Sequence, residues 1–403
     1  MKTDFDVGFN YGNFLSRVLV RENLPSLDEL YREYPGLKLN SPALFVCDTN
    51  TEPLALTIAG KAGSGKEGSS PKIPIVRIPA GENSKTWESI ELILKAAKEA
   101  ALGRDGLFIG VGGGVISDLA GFAASIYMRG ARLCIVSTSL LGMVDAGVGG
   151  KTGIDLAGIK NLAGTFYPAG LTFIPLSALD TLPEREWKSG MAELIKTGIL
   201  ASGSLFSAIL ELSGLEAEGR GSDKYRVCLK ECISLALAYK AGVVEADPRE
   251  TGSNRALLNL GHSFAHALES AAGLGKLSHG EAVAWGIARA CELGLAVGIT
   301  PPQRAAEITS LLRRSGYEVS APHPCFSFPG SEETLYALMM SDKKNSAGQL
   351  RFIVPDAQGA QIVSFNDTAS DAAKAVPFYN ITAISLTEGK KLLLTILKGE
   401  CQF

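Results

Sequence analysis

Short apolar runs alternate with amphipathic stretches through the first 180 residues, and this alternation constrains the fold more than any other feature of the chain. Apolar runs bounded by turn residues lie at 43–48, 73–78, 106–111 and 133–136. Such runs are typical of strands that are buried on both faces, as in a parallel sheet. Between the second and third runs, residues 87–101 carry apolar side chains at helical spacing. The alternation predicts a doubly wound, Rossmann-like α/β domain.

The second half of the chain has a different pattern, because strand signals nearly vanish after residue 183. One further strand is predicted at 350–354. Apolar positions recur at helical spacing over 184–201, 223–244, 255–272, 279–298 and 302–315. We therefore predict two domains, an α/β domain over residues 1–180 and a mostly α-helical domain over residues 181–403.

Composition and charge argue against several classes of partner. The 403 residues carry a formal net charge of −3, so neither nucleic acid nor an anionic membrane surface is expected as a partner. No apolar run reaches about eighteen residues, so no membrane-spanning helix is expected. The first residues are polar and acidic, unlike a signal peptide. The seven cysteines are scattered, which favours reduced thiols and a cytoplasmic protein.

Three of the four histidines, His262, His266 and His279, lie close together in the sequence. A single such histidine is most often a hydrogen-bonded core residue, but three together favour metal chemistry, since imidazole is a common zinc ligand. The ligand pair can be His262 with His266, four residues apart on a helix, or His262 with His279. Either Glu193 or Glu281 can supply a carboxylate. A catalytic zinc takes about three protein ligands and keeps an open position, so we predict that the helical domain binds a metal.

A run of glycines, Gly112 to Gly114, follows the third apolar run and opens a helix. Glycines at such a place allow a nucleotide pyrophosphate to approach the unpaired N–H groups of the helix N-terminus. A plain tight turn is the alternative. Asp48, at the end of the first run, can accept a hydrogen bond from a ribose hydroxyl, or it can cap the turn that follows.

The segment from Asp145 to Thr152 ends in Gly-Gly-Lys-Thr and resembles a phosphate-binding loop. The consensus spacing would place its first glycine at Asp145, so a nucleoside triphosphate site is excluded. The turn can still hold a smaller phosphate, with Lys151 as the cation and with Lys160 and Asn161 nearby in the sequence. Solvated loop lysines are the alternative.

Glu193 and Lys196 lie three residues apart in a helical pattern and share a face. A surface ion pair is the simplest interpretation of such a pair. The neighbouring Met191, Leu194 and Ile195 are apolar, so we expect this face of the helix to be at least partly enclosed.

Taken together, these motifs resemble the 3-dehydroquinate synthase family of sugar phosphate cyclases. The matching stretches follow the family's order over most of the chain, and they lie at 112–122, 127–130, 144–153, 160–161, 192–196, 255–266, 279–283 and 342–344. The resemblance implies an α/β Rossmann-like nucleotide-binding domain followed by a mostly α-helical metal-binding domain. It also implies a homodimer.

The resemblance implies roles for individual residues. The metal, zinc or cobalt, would be held by Glu193, His262 and His279. The cofactor NAD would be held by Asp48, Asn50, Glu82, Lys85, Gly113, Gly114, Val115, Asp118, Thr138, Ser139, Leu141, Asp145, Lys160, Thr181 and Glu186. The catalytic residues would be Asp145, Lys151, Lys196, Lys240, Arg255, Asn259 and His266. Substrate contacts would also come from Asn161, Lys343 and, in a neighbouring subunit's site, Arg129.

The activity that the resemblance implies is conversion of 3-deoxy-D-arabino-heptulosonate 7-phosphate into 3-dehydroquinate and phosphate. Its steps are transient oxidation by NAD, β-elimination of phosphate, reduction and an intramolecular aldol closure. The sequence departs from the family at Ser117, at 137–139 and around 253–254. Three alternatives remain: another sugar phosphate cyclase, a metal-dependent NAD polyol dehydrogenase, and a non-catalytic NAD-binding protein.

Overall fold

The protein forms two compact units in a computed structural model that describes residues 4–38, 41–60, 73–252, 254–273, 275–342, 350–366 and 381–401. The first unit comprises Met1–Trp187 and Ile233–Arg249, and the second comprises Lys188–Cys232 and Glu250–Phe403. The first unit therefore includes a segment from the second half of the chain. The predicted domain boundary after residue 180 stays a prediction.

The first unit holds nine strands and four complete α-helices among its described residues, together with parts of two later helices. The strands are β1 (Phe5–Tyr11), β2 (Phe14–Arg21), β3 (Ala43–Asp48), β4 (Ile75–Ile78), β5 (Leu107–Gly112), β6 (Arg132–Ser137), β7 (Lys151–Leu156), β8 (Ile159–Phe166) and β9 (Leu171–Pro175). The helices are α1 (Leu27–Glu33), α2 (Glu52–Gly60), α3 (Trp87–Glu99) and α4 (Gly114–Ile126).

A seven-stranded sheet in the order β1-β2-β9-β6-β5-β3-β4 forms the centre of the first unit. Its neighbouring strands are parallel except for the antiparallel hairpin β1–β2. The four predicted strands are confirmed as β3, β4, β5 and β6, and the predicted helix is confirmed as α3. The hairpins β1–β2 and β7–β8 were not predicted, because a hairpin that is exposed on one side lacks a continuous apolar run.

Both faces of this sheet are covered by helices, as the doubly wound prediction requires. One apolar cluster includes Ile90 of α3 and Leu119 of α4, and the other includes Leu30 of α1 and Ile58 of α2. All four side chains are fully buried. Burial of each stabilises the fold by about 1.5–3 kcal/mol. The predicted fold class is therefore confirmed for this unit.

The remaining part of the chain is mostly helical. Its helices are α5 (Glu184–Ala201), α6 (Gly203–Gly214), α7 (Asp223–Ala246), α8 (His262–Ala272), α9 (His279–Ala296), α10 (Pro302–Arg314), α11 (Ser331–Asp342) and α12 (Leu386–Lys398). A three-stranded sheet consists of β10 (Leu350–Pro355), β11 (Ala360–Asn366) and β12 (Ile381–Ser385). None of the helices in the described ranges has the length and apolar character that a membrane span needs.

Helix α8 is shorter than the sequence predicted. The single helix expected over 255–272 is wrong: a short 3-10 helix, Arg255–Asn259, ends before Gly261, and α8 begins at His262. Gly261 has φ +79°, which favours glycine, and a Cβ there would lie 2.8 Å from the backbone nitrogen of Ile287 in α9. Arg255 and Asn259 therefore lie on a separate turn from the histidines of α8.

Close backbone approaches bring the starts of α8 and α9 toward α5. Gly261 packs against the backbone of α9, and a Cβ on Gly280 would overlap the backbone of Ser189 in α5. The backbone N–H of Gly280 donates to Ser189 Oγ at 3.2 Å. Because His262 is the first residue of α8 and His279 the first of α9, these contacts carry both imidazoles to the face of α5 that holds Glu193.

Candidate active site

Glu193, His262 and His279 form a compact group of potential metal ligands in the second unit. One ligand atom from each lies within 4.8 Å of the others. Glu193 Oε1 is 3.7 Å from His262 Nε2 and 3.4 Å from His279 Nε2. The two imidazole rings meet edge to face with their centroids 5.3 Å apart. One carboxylate and two imidazoles are a donor set that zinc and cobalt accept.

The ring orientations suit a ligand role, because both histidines direct Nε2 toward Glu193. His262 Nδ1 lies 3.2 Å from the carbonyl oxygen of Leu260, to which an Nδ1–H can donate. His279 Nδ1 lies 3.5 Å from Glu269 Oε2. A metal-binding histidine usually donates its second ring N–H to a carbonyl or a carboxylate, and each Nδ1 here has such an acceptor beside it.

Glu193 is buried at a place that suits a cation. Its side chain is 1% exposed, and within the described part of the chain neither carboxylate oxygen has a hydrogen bond of good geometry. Burial alone would raise its pKa, but Lys196 and the two histidines outweigh burial and hold the pKa well below its ordinary value. Glu193 Oε2 pairs with the ammonium of Lys196. A buried anion without full hydrogen bonding fits a bound metal ion.

The two histidines carry different charges in this arrangement. Burial, together with Lys196, lowers the pKa of His262 to about 3, so its ring is neutral at pH 7. Burial acts in the same direction on His279, but Glu193 and Glu269 outweigh it and raise the pKa to about 10. Since metal ligation needs neutral imidazole, metal uptake at His279 must release a proton.

The geometry favours one of the ligand sets that the sequence left open. Glu281 Oε2 accepts hydrogen bonds from the Ser278 backbone N–H at 2.8 Å and from Ser278 Oγ at 2.7 Å, so Glu281 caps the start of α9. His266 is exposed, with its ring 5.5 Å from that of His262, and it lies outside the ligand group. The assignment of Glu193, His262 and His279 as metal ligands stays a prediction that this geometry supports.

In the first unit, the predicted nucleotide site lies at the carboxyl ends of the neighbouring strands β3 and β5. After β3 the chain adds β4 on one side of β3, and it then crosses to β5 on the other side. Ligands of open α/β sheets bind at such a switch point. Asp48 Oδ1 accepts hydrogen bonds from the backbone N–H groups of Asn50 and Thr51, each at 2.8 Å. The turn-capping role of Asp48 is thus visible, and its contact with a ribose stays a prediction.

The start of α4 fits the phosphates of a dinucleotide. Gly113 is the N-cap residue, and no side chain caps this 13-residue helix. A Cβ on Gly113 would lie 2.9 Å from Ser139 Oγ, so a larger residue at this position would crowd the Ser139 side chain. Val115 lies in the first turn of α4, Thr138 directly follows β6, and Leu141 has helical backbone angles just before Gly142. The residues present therefore fit NAD.

Lys85 is the centre of a polar cluster in the first unit and is only 3% exposed. Its Nζ lies 2.8 Å from Asp118 Oδ2 and 3.5 Å from Glu82 Oε1, and it donates to Asn161 Oδ1. Burial raises the pKa of Asp118 to about 6 in spite of Lys85. Burial acts to lower the pKa of Lys85, but Asp118 and Glu82 outweigh it, and the net shift is upward. The cluster joins residues predicted for the cofactor with one predicted for the substrate.

Asp145 and Lys240 also meet within the first unit. Asp145 belongs to a turn of π-helix, Gly142–Ala146, and such turns are frequent at functional sites. The ammonium of Lys240, on α7, contacts both the backbone carbonyl and the carboxylate of Asp145. Two residues that lie far apart in the sequence, both predicted to be catalytic, therefore form one ion pair.

The other predicted site residues differ in exposure. Arg255 and Lys196 are 3% and 2% exposed. The residues exposed to solvent are Asn50, Arg129, Lys151, Lys160, Thr181, Glu186 and Asn259. Gly114 and Leu141 are partly buried. Lys343 lies outside the described residues.

Two family models match the chain, one for the N-terminal part of 3-dehydroquinate synthase at residues 75–189 and one for its C-terminal part at residues 190–345. The chain belongs to the 3-dehydroquinate synthase family. A 3-dehydroquinate synthase from Rhodopirellula baltica is 39% identical over 303 residues, which cover 75% of this chain and 78% of that protein.

Solved structures of other sugar phosphate cyclases share the fold. The 2-epi-5-epi-valiolone synthase of Streptomyces hygroscopicus, with NAD+ and Zn2+ bound, has a TM-score of 0.71 and 25% identity, covering 94% of this chain and 96% of that one. A 2-deoxy-scyllo-inosose synthase, complexed with carbaglucose-6-phosphate, NAD+ and Co2+, has a TM-score of 0.74 and 19% identity, covering 98% and 99%. At 19% identity the second likeness concerns the fold alone.

Two residues that the motifs did not identify contact the predicted site of this 3-dehydroquinate synthase family member. Glu269 lies beside His279, and its position seven residues after His262 on the same helix is a signal that helical spacing could have revealed. Asp155 Oδ1 accepts from the backbone N–H of Asn161 at 2.8 Å, and its own N–H donates to the carbonyl oxygen of Lys85 at 2.8 Å. No sequence pattern predicted the contacts of Asp155.

Proposed function

We propose that this protein converts 3-deoxy-D-arabino-heptulosonate 7-phosphate into 3-dehydroquinate and phosphate, using NAD and a divalent metal. The observation that carries the proposal is the group of Glu193, His262 and His279, with Lys196 beside it, in a chain that matches the family over both of its parts. When bound, the metal supplies a Lewis acid that acidifies a substrate hydroxyl, and NAD accepts a hydride and later returns it.

The residues of the chain divide the remaining work between binding and proton handling. Glu193, His262 and His279 would hold the metal, and the glycine-rich start of α4 would hold the NAD pyrophosphate. Lys196 pairs with Glu193 and is buried, so it is held in place to contact a substrate oxygen near the metal. The pairing of Lys240 with Asp145 fixes the position of a second ammonium.

The substrate is an anion with a carboxylate and a phosphate. The protein has a net charge of −3, so it does not attract this anion by its overall charge. Local cations must therefore recognise it, and the predicted ones are Lys151, Lys196, Lys240 and Arg255. A guanidinium can grip a carboxylate with two parallel hydrogen bonds, so we assign the substrate carboxylate to Arg255.

The proposal is tested with purified protein, zinc, NAD and the heptulosonate phosphate. We expect equal amounts of phosphate and 3-dehydroquinate, with phosphate measured by colorimetry and 3-dehydroquinate by mass spectrometry. A seven-carbon sugar phosphate that lacks the carboxylate serves as the comparison substrate. Faster turnover of that compound would identify another sugar phosphate cyclase, and lasting NADH formation would identify a dehydrogenase.

We further propose that the protein works as a homodimer in the cytoplasm. Arg129 supports the first part, since it is exposed in a loop where both it and Met128 have positive φ. Exposed apolar side chains on β8, Leu162 and Phe166, offer surface for a second copy. All seven cysteines are free thiols, which supports a reducing compartment.

Trans-complementation tests the role of Arg129 in the dimer. Arg129→Ala and Lys196→Ala proteins, each expected to be inactive, are mixed after dissociation and reassociation. In a two-fold dimer, half of the molecules become hybrids with one complete site, so about a quarter of the wild-type activity should return. A monomer in light scattering, or no recovery from mixed dimers, would contradict the proposal.

A further inference from the structure

His279 lies between two carboxylates, one on each side of its ring. Nε2 is 3.4 Å from Glu193 Oε1, and Nδ1 is 3.5 Å from Glu269 Oε2. The two carboxylates differ in surroundings, since the Glu193 side chain is 1% exposed and the Glu269 side chain is 19% exposed. The ligand nitrogen therefore faces the buried carboxylate, and the other nitrogen faces the half-buried one.

The position of Glu269 follows from the helix that carries it. Glu269 lies seven residues after His262 on α8, two turns away on the same face. The start of α9, which carries His279, is fixed separately by the Ser278 and Glu281 capping box and by the contact of Gly280 with Ser189. Helix α8 thus carries one predicted ligand, His262, and also carries Glu269, which faces Nδ1 of the second ligand, His279.

His262 provides an internal comparison for this arrangement. Its Nδ1 lies 3.2 Å from the carbonyl oxygen of Leu260, so the backbone just before α8 orients its ring. Within the described residues, the acceptor at His279 Nδ1 is instead a side chain, which a mutation can remove. Acceptors at the second nitrogen of a metal-binding histidine fix the ring orientation, and their loss typically weakens metal binding by 10–100-fold.

We propose that Glu269 is a positioning residue of the metal site: it accepts the Nδ1–H of His279 and so holds Nε2 toward the metal that Glu193 and His262 share. This inference rests on the metal site of the proposed function. It assigns Glu269 no contact with substrate, cofactor or metal. Removal of Glu269 should therefore change metal affinity and coordination geometry more than it changes the fold.

The test measures metal binding directly, without substrate. Wild type, Glu269→Ala and Glu269→Gln are stripped with a chelator and titrated with Zn2+ against a competing chelator dye. We expect the Kd to rise by about 10–100-fold in Glu269→Ala. The rise should be smaller in Glu269→Gln, because an amide oxygen still accepts from Nδ1–H. Glu333→Ala, an exposed glutamate on α11, is the matched control and should bind zinc as the wild type does.

A cobalt spectrum separates positioning from general destabilisation. The visible bands of Co2+ bound to the Glu269 variants should shift in position or intensity, while those of Glu333→Ala should match the wild type. Circular dichroism verifies that the variants are folded, and Glu269→Gln remains informative if Glu269→Ala does not fold. Unchanged zinc affinity in a folded Glu269 variant would overturn the proposal. Failure of wild type to bind zinc would instead overturn the metal site itself.

Discussion

Two lysine–carboxylate pairs, one in each compact unit, have carboxylates whose pKa values shift in opposite directions. In the first unit Lys85 lies 2.8 Å from Asp118, yet burial raises the pKa of Asp118 to about 6. In the second unit burial acts in the same direction on Glu193, but Lys196 and two histidines outweigh it and hold the pKa well below its ordinary value. The number of positive and polar neighbours decides which effect is larger.

This difference accompanies two different predicted roles, a metal site at Glu193 and a dinucleotide site near Asp118. Glu193 remains an anion and faces two imidazole nitrogens, which is the chemistry of a metal ligand. Asp118 and Lys85 form an ion pair near the helix N-terminus at Gly113, where backbone N–H groups would supply the attraction for phosphate. On this prediction, the metal site would attract its ligand through side-chain charge and the dinucleotide site through backbone N–H groups.

Glu193→Gln should have the largest effect. Loss of the carboxylate removes a ligand and leaves Lys196 without its buried partner, so metal binding should fail. We expect activity to fall by roughly a thousandfold, which corresponds to about 4 kcal/mol of transition-state stabilisation. Zinc content is measured by atomic emission, and the rate of phosphate release is measured on the same preparation. Asp118→Asn is the control in the first unit and should keep its zinc. Equal zinc loss in both variants would contradict the difference in role between Glu193 and Asp118.

Arg255→Lys should have the second largest effect, although it conserves charge. Arg255 is 3% exposed and lies on the 3-10 helix before α8. An ammonium cannot form two parallel hydrogen bonds to a carboxylate, so kcat/KM should fall by about a hundredfold. The loss should shrink for a substrate analogue without the carboxylate. Equal losses for both compounds would point to a structural role for Arg255.

Lys85→Met should act on the first unit alone. It removes the cation that Asp118, Glu82 and Asn161 share, and NAD affinity should fall by about tenfold because the loop geometry depends on that cation. Zinc affinity should stay unchanged. Calorimetric titrations of NAD and of zinc on the same preparation measure both. A parallel loss of zinc affinity would contradict the expectation that Lys85 affects NAD binding and leaves the metal site unchanged.

The pH dependence of stability should show the smallest effect. Because the folded pKa of Asp118 is raised to about 6, the folded protein binds more protons than the unfolded chain between about pH 4 and 6. Stability that Asp118 contributes is present below about pH 4 and is lost as pH rises through 6. Relative to Asp118→Asn, the wild type should lose on the order of 2–3 kcal/mol over this range.

Urea unfolding of the wild type and of Asp118→Asn at pH 4.5, 5.5 and 6.5 measures that difference. The free energies of unfolding should diverge as pH rises, with the wild type falling behind. A constant gap between the two proteins at all three pH values would show that Asp118 has an ordinary pKa. The pKa values of Asp118 and Glu193 would then no longer shift in opposite directions.

The sequence predicted those parts of the site that short motifs encode. Strands β3 and β5 are buried on both faces, so their apolar runs were visible, and with them the places of Asp48 and Gly113. The metal group was harder, because spacing allowed both His266 and His279. The choice depends on Gly261 and Gly280, whose close backbone contacts carry α8 and α9 to α5. Such contacts between distant segments leave no local pattern.

Two other features were beyond prediction for related reasons. The hairpin β7–β8 brings Asn161 to Lys85, 76 residues earlier, and nothing in either segment indicates the other. Lys240 and Asp145 meet across 95 residues of chain. The resemblance to a family named these residues, but it did not provide the pairs that they form. Side-chain pairing across long sequence separations is a result of tertiary packing.

The number of phosphates released per NAD tests the central claim most directly. The product has the same oxidation level as the substrate, so NAD that is reduced in one step is reoxidised in a later one. With zinc, excess heptulosonate phosphate and far less NAD than substrate, we expect many phosphates per NAD and no lasting rise in absorbance at 340 nm. One NADH formed for each phosphate, or a reaction that stops after one equivalent of NAD, would contradict the account.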